Sequence, residues 1–172
     1  QILSDSAYSG RIVFGDQNSN NAGRIYYDHS TDAFRFFTNG TEKVSILSGG
    51  NVGIGITNPS TLLDVSTNST SDVVIRVENQ DTVTAAADAY LHVVAGGASS
   101  GNAFTRYNVL GVSNWATGLD NSDSDKYKIS YSSNLGTNDY ITVQSDGNVG
   151  IGTTNPTTGF KLDVVGADFR VS

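Results

Sequence analysis

Gly50-Asn51-Val52-Gly53-Ile54-Gly55-Ile56-Thr57-Asn58-Pro59 runs into Leu63-Asp64-Val65. The same unit returns as Gly147-Asn148-Val149-Gly150-Ile151-Gly152-Thr153-Thr154-Asn155-Pro156, followed by Leu162-Asp163-Val164 after two extra residues. Val52, Ile54 and Ile56 recur at the period of a strand, and Gly53 and Gly55 fill the positions between them. Glycine weakens a strand, because it costs chain entropy and packs nothing. Its use at every second position predicts that another backbone, of the same chain or of a neighbour, approaches that bare face closely. The proline then stops pairing, having no N–H to give. A phosphate-binding loop would need a helix directly after the glycines and a lysine at fixed spacing, and Asn58-Pro59 offers neither.

Outward from the doubled unit, the chain reads as strands and polar turns. It has 172 residues, 19 of them Gly, with no Cys and no Met. The start at Gln1 without an initiator Met reads as a processed or excised fragment. No apolar run approaches a membrane span, and no signal-peptide pattern is present. Without Cys there are no disulfides or thiolate metal sites. The net charge of −7 argues against nucleic acid and against anionic membrane surfaces as partners. Among the acids only Glu42 and Glu78 are Glu; the rest are Asp, which favours turns over helices.

Gly10–Asp16 and Gly23–Asp28 echo each other as short β runs around the polar loop 17–22. Phe34 and Phe36, then Val44 and Ile46, flank Asn39-Gly40, a hairpin signal. Val73, Ile75 and Val77 alternate in the manner of a strand, and Tyr90–Val94 reads as extended despite the alanines that precede it. Strands are expected at 104–112, 113–119, 127–131 and 140–143, the third with Tyr127, Ile129 and Tyr131 on its buried face. No segment has a helical period. The predicted class is all-β: a module at 1–66, a polar joint at 67–71, a second module at 72–165, and at 166–172 the start of a following segment. With 37% hydrophobic residues such modules have thin cores, which points to assembly of identical chains. Val52, Ile54, Ile56, Val149 and Ile151 are the expected packing residues.

The Gly-Asn-Val-Gly-Ile-Gly-Thr-Thr-Asn-Pro pattern with its Leu-Asp-Val resembles the repeat of bacteriophage tail fibre and tail-spike proteins, often found upstream of an intramolecular chaperone domain. Gly23–His29 and Trp115–Lys126 are also similar to segments of such proteins. The resemblance implies an elongated, intertwined parallel homotrimer of β-sandwich, β-prism or triple-β-helix type. It places the chain in the virion, outside the cell, in the host-attachment apparatus.

Candidate site residues fall into three groups. Asp120, Asp123 and Asp125 read first as a solvated turn and second as a calcium loop, although the EF-hand glycine and glutamate are missing. Tyr26, Tyr27 and His29, near the Asn-rich loop 18–21, form a candidate carbohydrate surface, since one of two adjacent strand tyrosines must face outward. Trp115, Asp120 and Asn121 form another, although the spacing of Trp115 and Leu119 favours a buried Trp. With only His29 and His92 and no nucleophile elbow, no enzyme is predicted. Three functions follow: a fibre segment binding host glycans, a passive trimeric shaft, or a carbohydrate-binding module of a polysaccharide-degrading protein.

Overall fold

The computed structural model describes residues 9–19 and 22–166. The segment 167–172, most of the expected following segment, and Asn20 and Asn21 of the Asn-rich loop lie outside the described residues. The chain divides into two compact units, Gln1–Arg76 and Val77–Ser172. The first holds β1 (Gly10–Phe14), β2 (Gly23–Asp28), β3 (Ala33–Thr38), β4 (Thr41–Ile46), β5 (Val52–Ile54) and β6 (Leu63–Val65). The second holds β7 (Ala103–Val109), β8 (Ser113–Asp120), β9 (Lys126–Ser130), β10 (Asp139–Val143), β11 (Val149–Ile151) and β12 (Leu162–Val164). Each set forms one six-stranded sheet in chain order. The class is all-β; the described residues contain a single helical turn, of 3₁₀ type, at Asn121–Asp123.

Both sheets are built alike. Five strands meander antiparallel, and the sixth lies parallel to the fifth. The hairpin at Asn39-Gly40 forms as its residues dictate, with φ of 49° and 69°, the double left-handed turn that matches strand twist. A parallel connection ordinarily takes about a dozen residues or more. Here residues 55–62 and 152–161 suffice, because the chain turns back at once over the strand it has just left.

That turn explains the glycines. A methyl group on Gly53 would collide with the Ile56 carbonyl oxygen, and one on Gly150 would lie 2.6 Å from that of Thr153. Gly55 and Gly152 have φ of 78° and 73°, which L side chains rarely adopt. The close backbone is therefore the chain's own. Ile56 departs from its expected place as well: β5 ends at Ile54, Gly55 reverses the chain, and Ile56 packs on the glycine face, opposite Val52 and Ile54. The Leu-Asp-Val aspartates complete the motif. Asp163 accepts bonds from the Thr157 N–H and hydroxyl (both 2.8 Å), and Asp64 accepts from the corresponding groups of Ser60 (3.3 and 3.4 Å).

Register sorts every strand residue onto one of two faces. Ile12, Ile25, Phe36, Val44, Ile54 and Val65 form one row straight across the first sheet. Tyr27, Phe34, Ile46, Val52 and Leu63 form the next row on that face. In the second sheet the matching rows are Thr105, Thr117, Ile129, Ile141, Ile151 and Val164, and Ala103, Leu119, Tyr127, Val143, Val149 and Leu162. The opposite face carries Arg35, Ser45, Gly53 and Asp64 in the first sheet and Lys128, Thr142, Gly150 and Asp163 in the second.

Burial runs against the usual sense. The loops fold over the polar face, so Ser45, Asp120, Lys128, Ser130 and Thr142 are buried. The apolar rows are half-buried to exposed, Ile54 45% and Ile151 41%. The expected buried face of β9 is thus reversed: Lys126, Lys128 and Ser130 are inside, and Tyr127 is outside. The alternation was a correct sign of a two-faced strand, but loop contacts decide which face is covered.

The runs at 73–77 and 90–94 also differ from expectation. Neither belongs to a strand ladder. Their apolar side chains are exposed, including Val73, Ile75, Val77, Leu91 and Val94. A β-prone run makes a strand only where a second strand is available to receive its backbone bonds.

Candidate functional site

The acidic cluster expected at 120–125 is organised around lysine. Lys128 Nζ lies 2.8 Å from Asp120 Oδ2, 2.7 Å from Asp123 Oδ2 and 3.1 Å from Asp139 Oδ2, and Lys128 is only 2% exposed. Lys126 Nζ donates to Asp123 Oδ1 (2.9 Å), the Thr154 carbonyl and Asn155 Oδ1 (both 3.0 Å), which ties β9 to the second glycine crossover. Asp120 also accepts from the Ser122 hydroxyl and N–H, capping the 3₁₀ turn. Burial pushes the carboxyls of Asp120 and Asp123 up, but bonds from the lysines outweigh it and hold both below the ordinary aspartate range. For Lys128, burial pulls downward and the surrounding carboxylates prevail, so its pKa is raised.

These contacts change the calcium reading. Asp120 and Asp123 already face ammonium groups, and Asp125 is exposed with a left-handed backbone (φ 57°). Among the described residues no group of three or more acids or histidines is placed to hold a metal ion. The donor set therefore does not fit calcium. Asn121 is likewise committed: its side-chain amide donates to the carbonyls of Gly97, Ala98 and Ser100, and its N–H bonds Asn102 Oδ1. It clamps the 97–102 loop, and its side-chain donors are occupied by protein.

Tyr26 and Tyr27 point to opposite faces, as adjacent strand residues must. Tyr26 packs edge-on to Phe37 at 6.0 Å and accepts a hydrogen bond from Ser9, while the Arg24 guanidinium lies 4.0 Å over the Phe37 ring. Tyr27 sits edge-on to both His29 and Phe34, each at 4.8 Å. Its hydroxyl donates to Asp32 Oδ1 at 2.9 Å, and that bond raises its pKa. With Ile12, Ile25 and Gly10 these rings line a cavity of about 240 Å³ on the apolar face. Asn18 and Ser19 follow β1 beyond Phe14, at the end of the sheet away from Gly10 and Tyr27, and do not line this cavity.

Trp115 is 40% exposed, where the spacing favoured burial. It lies on the open apolar face beside Tyr131 (5.3 Å) and Tyr140 (5.6 Å). An irregularity in the β9–β10 register between Asp139 and Ile141 gives β10 an extra residue, and Tyr140 occupies it. Tyr107, exposed and opposite Trp115 across β7–β8, extends the patch. Tyr131, Tyr140 and Phe34 were not distinguishable as site residues in the sequence, because only cross-strand register gathers them. Asp139 escaped notice for the same reason.

Comparison with family models finds no match, and comparison with curated proteins finds none either.

Proposed function

We propose that this chain is a fibre-forming segment of a bacteriophage tail fibre, assembled as a homotrimer whose apolar sheet faces pack between chains. On this reading it works outside the cell, in the virion's host-attachment apparatus, mainly as shaft. One observation supports the assembly: the apolar rows of both sheets are half-buried to exposed, while Ser45 on the opposite face of the first sheet and Lys128, Ser130 and Thr142 on that of the second are buried. The number three and the virion setting rest on the resemblance of the glycine repeat to tail fibre proteins.

Mass in solution tests the proposal. Light scattering is expected to give three chains of 18.1 kDa each; a stable, well-folded monomer at high concentration would refute it. Glycan binding is the second reading, favoured by the exposed row Trp115, Tyr131 and Tyr140. The two readings compete for one surface. Retention of the assembled protein on a glycan array, lost in Trp115→Ala without a change of mass, would favour the second.

A further inference from the structure

The two sheets share their strand order and their closing turn, yet one row of side chains exists in only one of them. One step beyond Thr105, Thr117 and Ile129 on the apolar face stand Tyr107, Trp115 and Tyr131, and Tyr140 joins them from the extra residue of β10. β11 and β12 end a row earlier, at Ile151 and Val164, so this row lies at the margin of the sheet. The matching places in the first sheet hold Phe14, Gly23 and Thr38. A meander closed by the glycine crossover therefore forms without an aromatic row. Tyr107, Trp115, Tyr131 and Tyr140 are all exposed, and a contiguous exposed patch that the fold does not need marks a binding surface.

The geometry of the rings narrows the ligand. The Trp115 centroid lies 5.3 Å from that of Tyr131 and 5.6 Å from that of Tyr140, and the two tyrosines are 6.5 Å apart. The planes are inclined by 59°, 30° and 48°, which makes a shallow cup instead of a flat platform for a sugar ring. A group resting over the middle of the cup comes within roughly 6 Å of all three centroids, the range at which a cation is drawn to a ring face, and Trp is the strongest ring for this contact. The net charge of −7 favours cations and repels acidic polymers. Asp139, next to Tyr140, is turned to the opposite face, where it meets Lys128 at 3.1 Å. The cup thus presents π faces without that carboxylate, which suits a cation that has no N–H to satisfy. We propose that Trp115, Tyr131 and Tyr140 form a binding site for a trimethylammonium group, the head that choline carries. The inference goes beyond both readings above: it does not need the trimer, and it selects a charge that stacking on sugar does not require.

Trp115 is the only tryptophan of the chain, so its fluorescence reports on the site directly. Titration of the full 172-residue chain with choline is expected to saturate with a dissociation constant on the order of 1 mM. Dimethylbutanol, the uncharged analogue with carbon in place of nitrogen, is expected to bind roughly tenfold more weakly. Equal binding of the two would overturn the inference, because the cup would then be merely apolar. Tyr140→Ala is expected to weaken choline binding roughly fivefold or more, and Tyr140→Phe, which keeps the ring, to stay within about twofold of the unaltered chain. If Tyr140→Ala does not fold, choline against its uncharged analogue on the unaltered chain still decides the matter. No saturation by about 100 mM choline overturns the inference too. Trp115-dependent retention on a neutral glycan that choline does not displace overturns it in favour of sugar. None of these outcomes changes the mass in solution, so the assembly reading stands or falls separately.

Discussion

Ser45 and Thr142 occupy the same place in the two sheets, each facing a repeat glycine, and they offer a matched pair of tests. The Ser45 hydroxyl donates to the Ile56 carbonyl at 3.0 Å. Thr142 Oγ1 is buried without a partner. Ser45→Ala is therefore expected to cost about 1 kcal/mol, since it orphans a carbonyl in a covered site. Thr142→Val keeps the shape and removes an unpaired hydroxyl, so its change in stability is expected to stay within about 0.5 kcal/mol of zero or to be favourable. Urea denaturation of both variants checks the contrast; equal losses would contradict it. Gly150→Ala is expected to cost about 1–3 kcal/mol, because the crossover must move off the strand. The glycine pattern was legible as a demand for close backbone contact. Which backbone would come close was not, because that depends on the reversal at Gly55 and Gly152, a conformational fact with no period to betray it.

At the scale of the element, β9 is the most instructive strand. Its sequence, Lys126-Tyr127-Lys128-Ile129-Ser130, announces two unlike faces, and ordinary experience with soluble proteins assigns the tyrosine and isoleucine to the interior. The structure covers the lysines, because Asp120 at the end of β8, Asp123 in the turn after it and Asp139 at the start of β10 converge to neutralise Lys128. No local pattern predicts that convergence. Lys128→Met is expected to destabilise the second unit by about 3–5 kcal/mol, since it strands buried carboxylates together. The pH dependence follows from the signs. Asp120 and Asp123 have lowered folded pKa values, so their contribution is present above the unfolded aspartate value, about 3.9, and is lost as pH falls through the folded values. Lys128 is raised, so its contribution is full below the unfolded lysine value, about 10.4, and fades as pH climbs through the folded one. Thermal melts are expected to show a plateau between these limits and a fall on the acid side below about pH 4. A chelator is expected to leave the melting temperature unchanged, since ammonium groups hold the place where calcium was considered; a drop of several degrees would restore the metal reading.

For the molecule as a whole, the sequence announced the β class, the hairpins, the doubled closing motif and the poverty of the core. Val52, Ile54, Val149 and Ile151, expected from the sequence to pack between chains, share the apolar faces of their sheets, with Ile54 and Ile151 exposed and the two valines half-buried. Ile56 could not be told from them by period alone. The aromatic residues divided in the same way: Tyr26 and Tyr27 were legible as a pair split between two faces, whereas the grouping of Trp115 with Tyr131 and Tyr140 needed register and an extra residue in β10. Ile54→Asp is expected to reduce the mass in light scattering to that of one chain. An unchanged mass would remove β5 from the interface.

The parallel sixth strand has a consequence of parity. A meander of six antiparallel strands returns the chain to the end of the sheet where it entered. Making the last strand parallel cancels one reversal, so in each unit the chain enters at one end and departs from the other. The glycines that permit the abrupt crossover are thus what let the chain leave each meander at the end opposite to its entry.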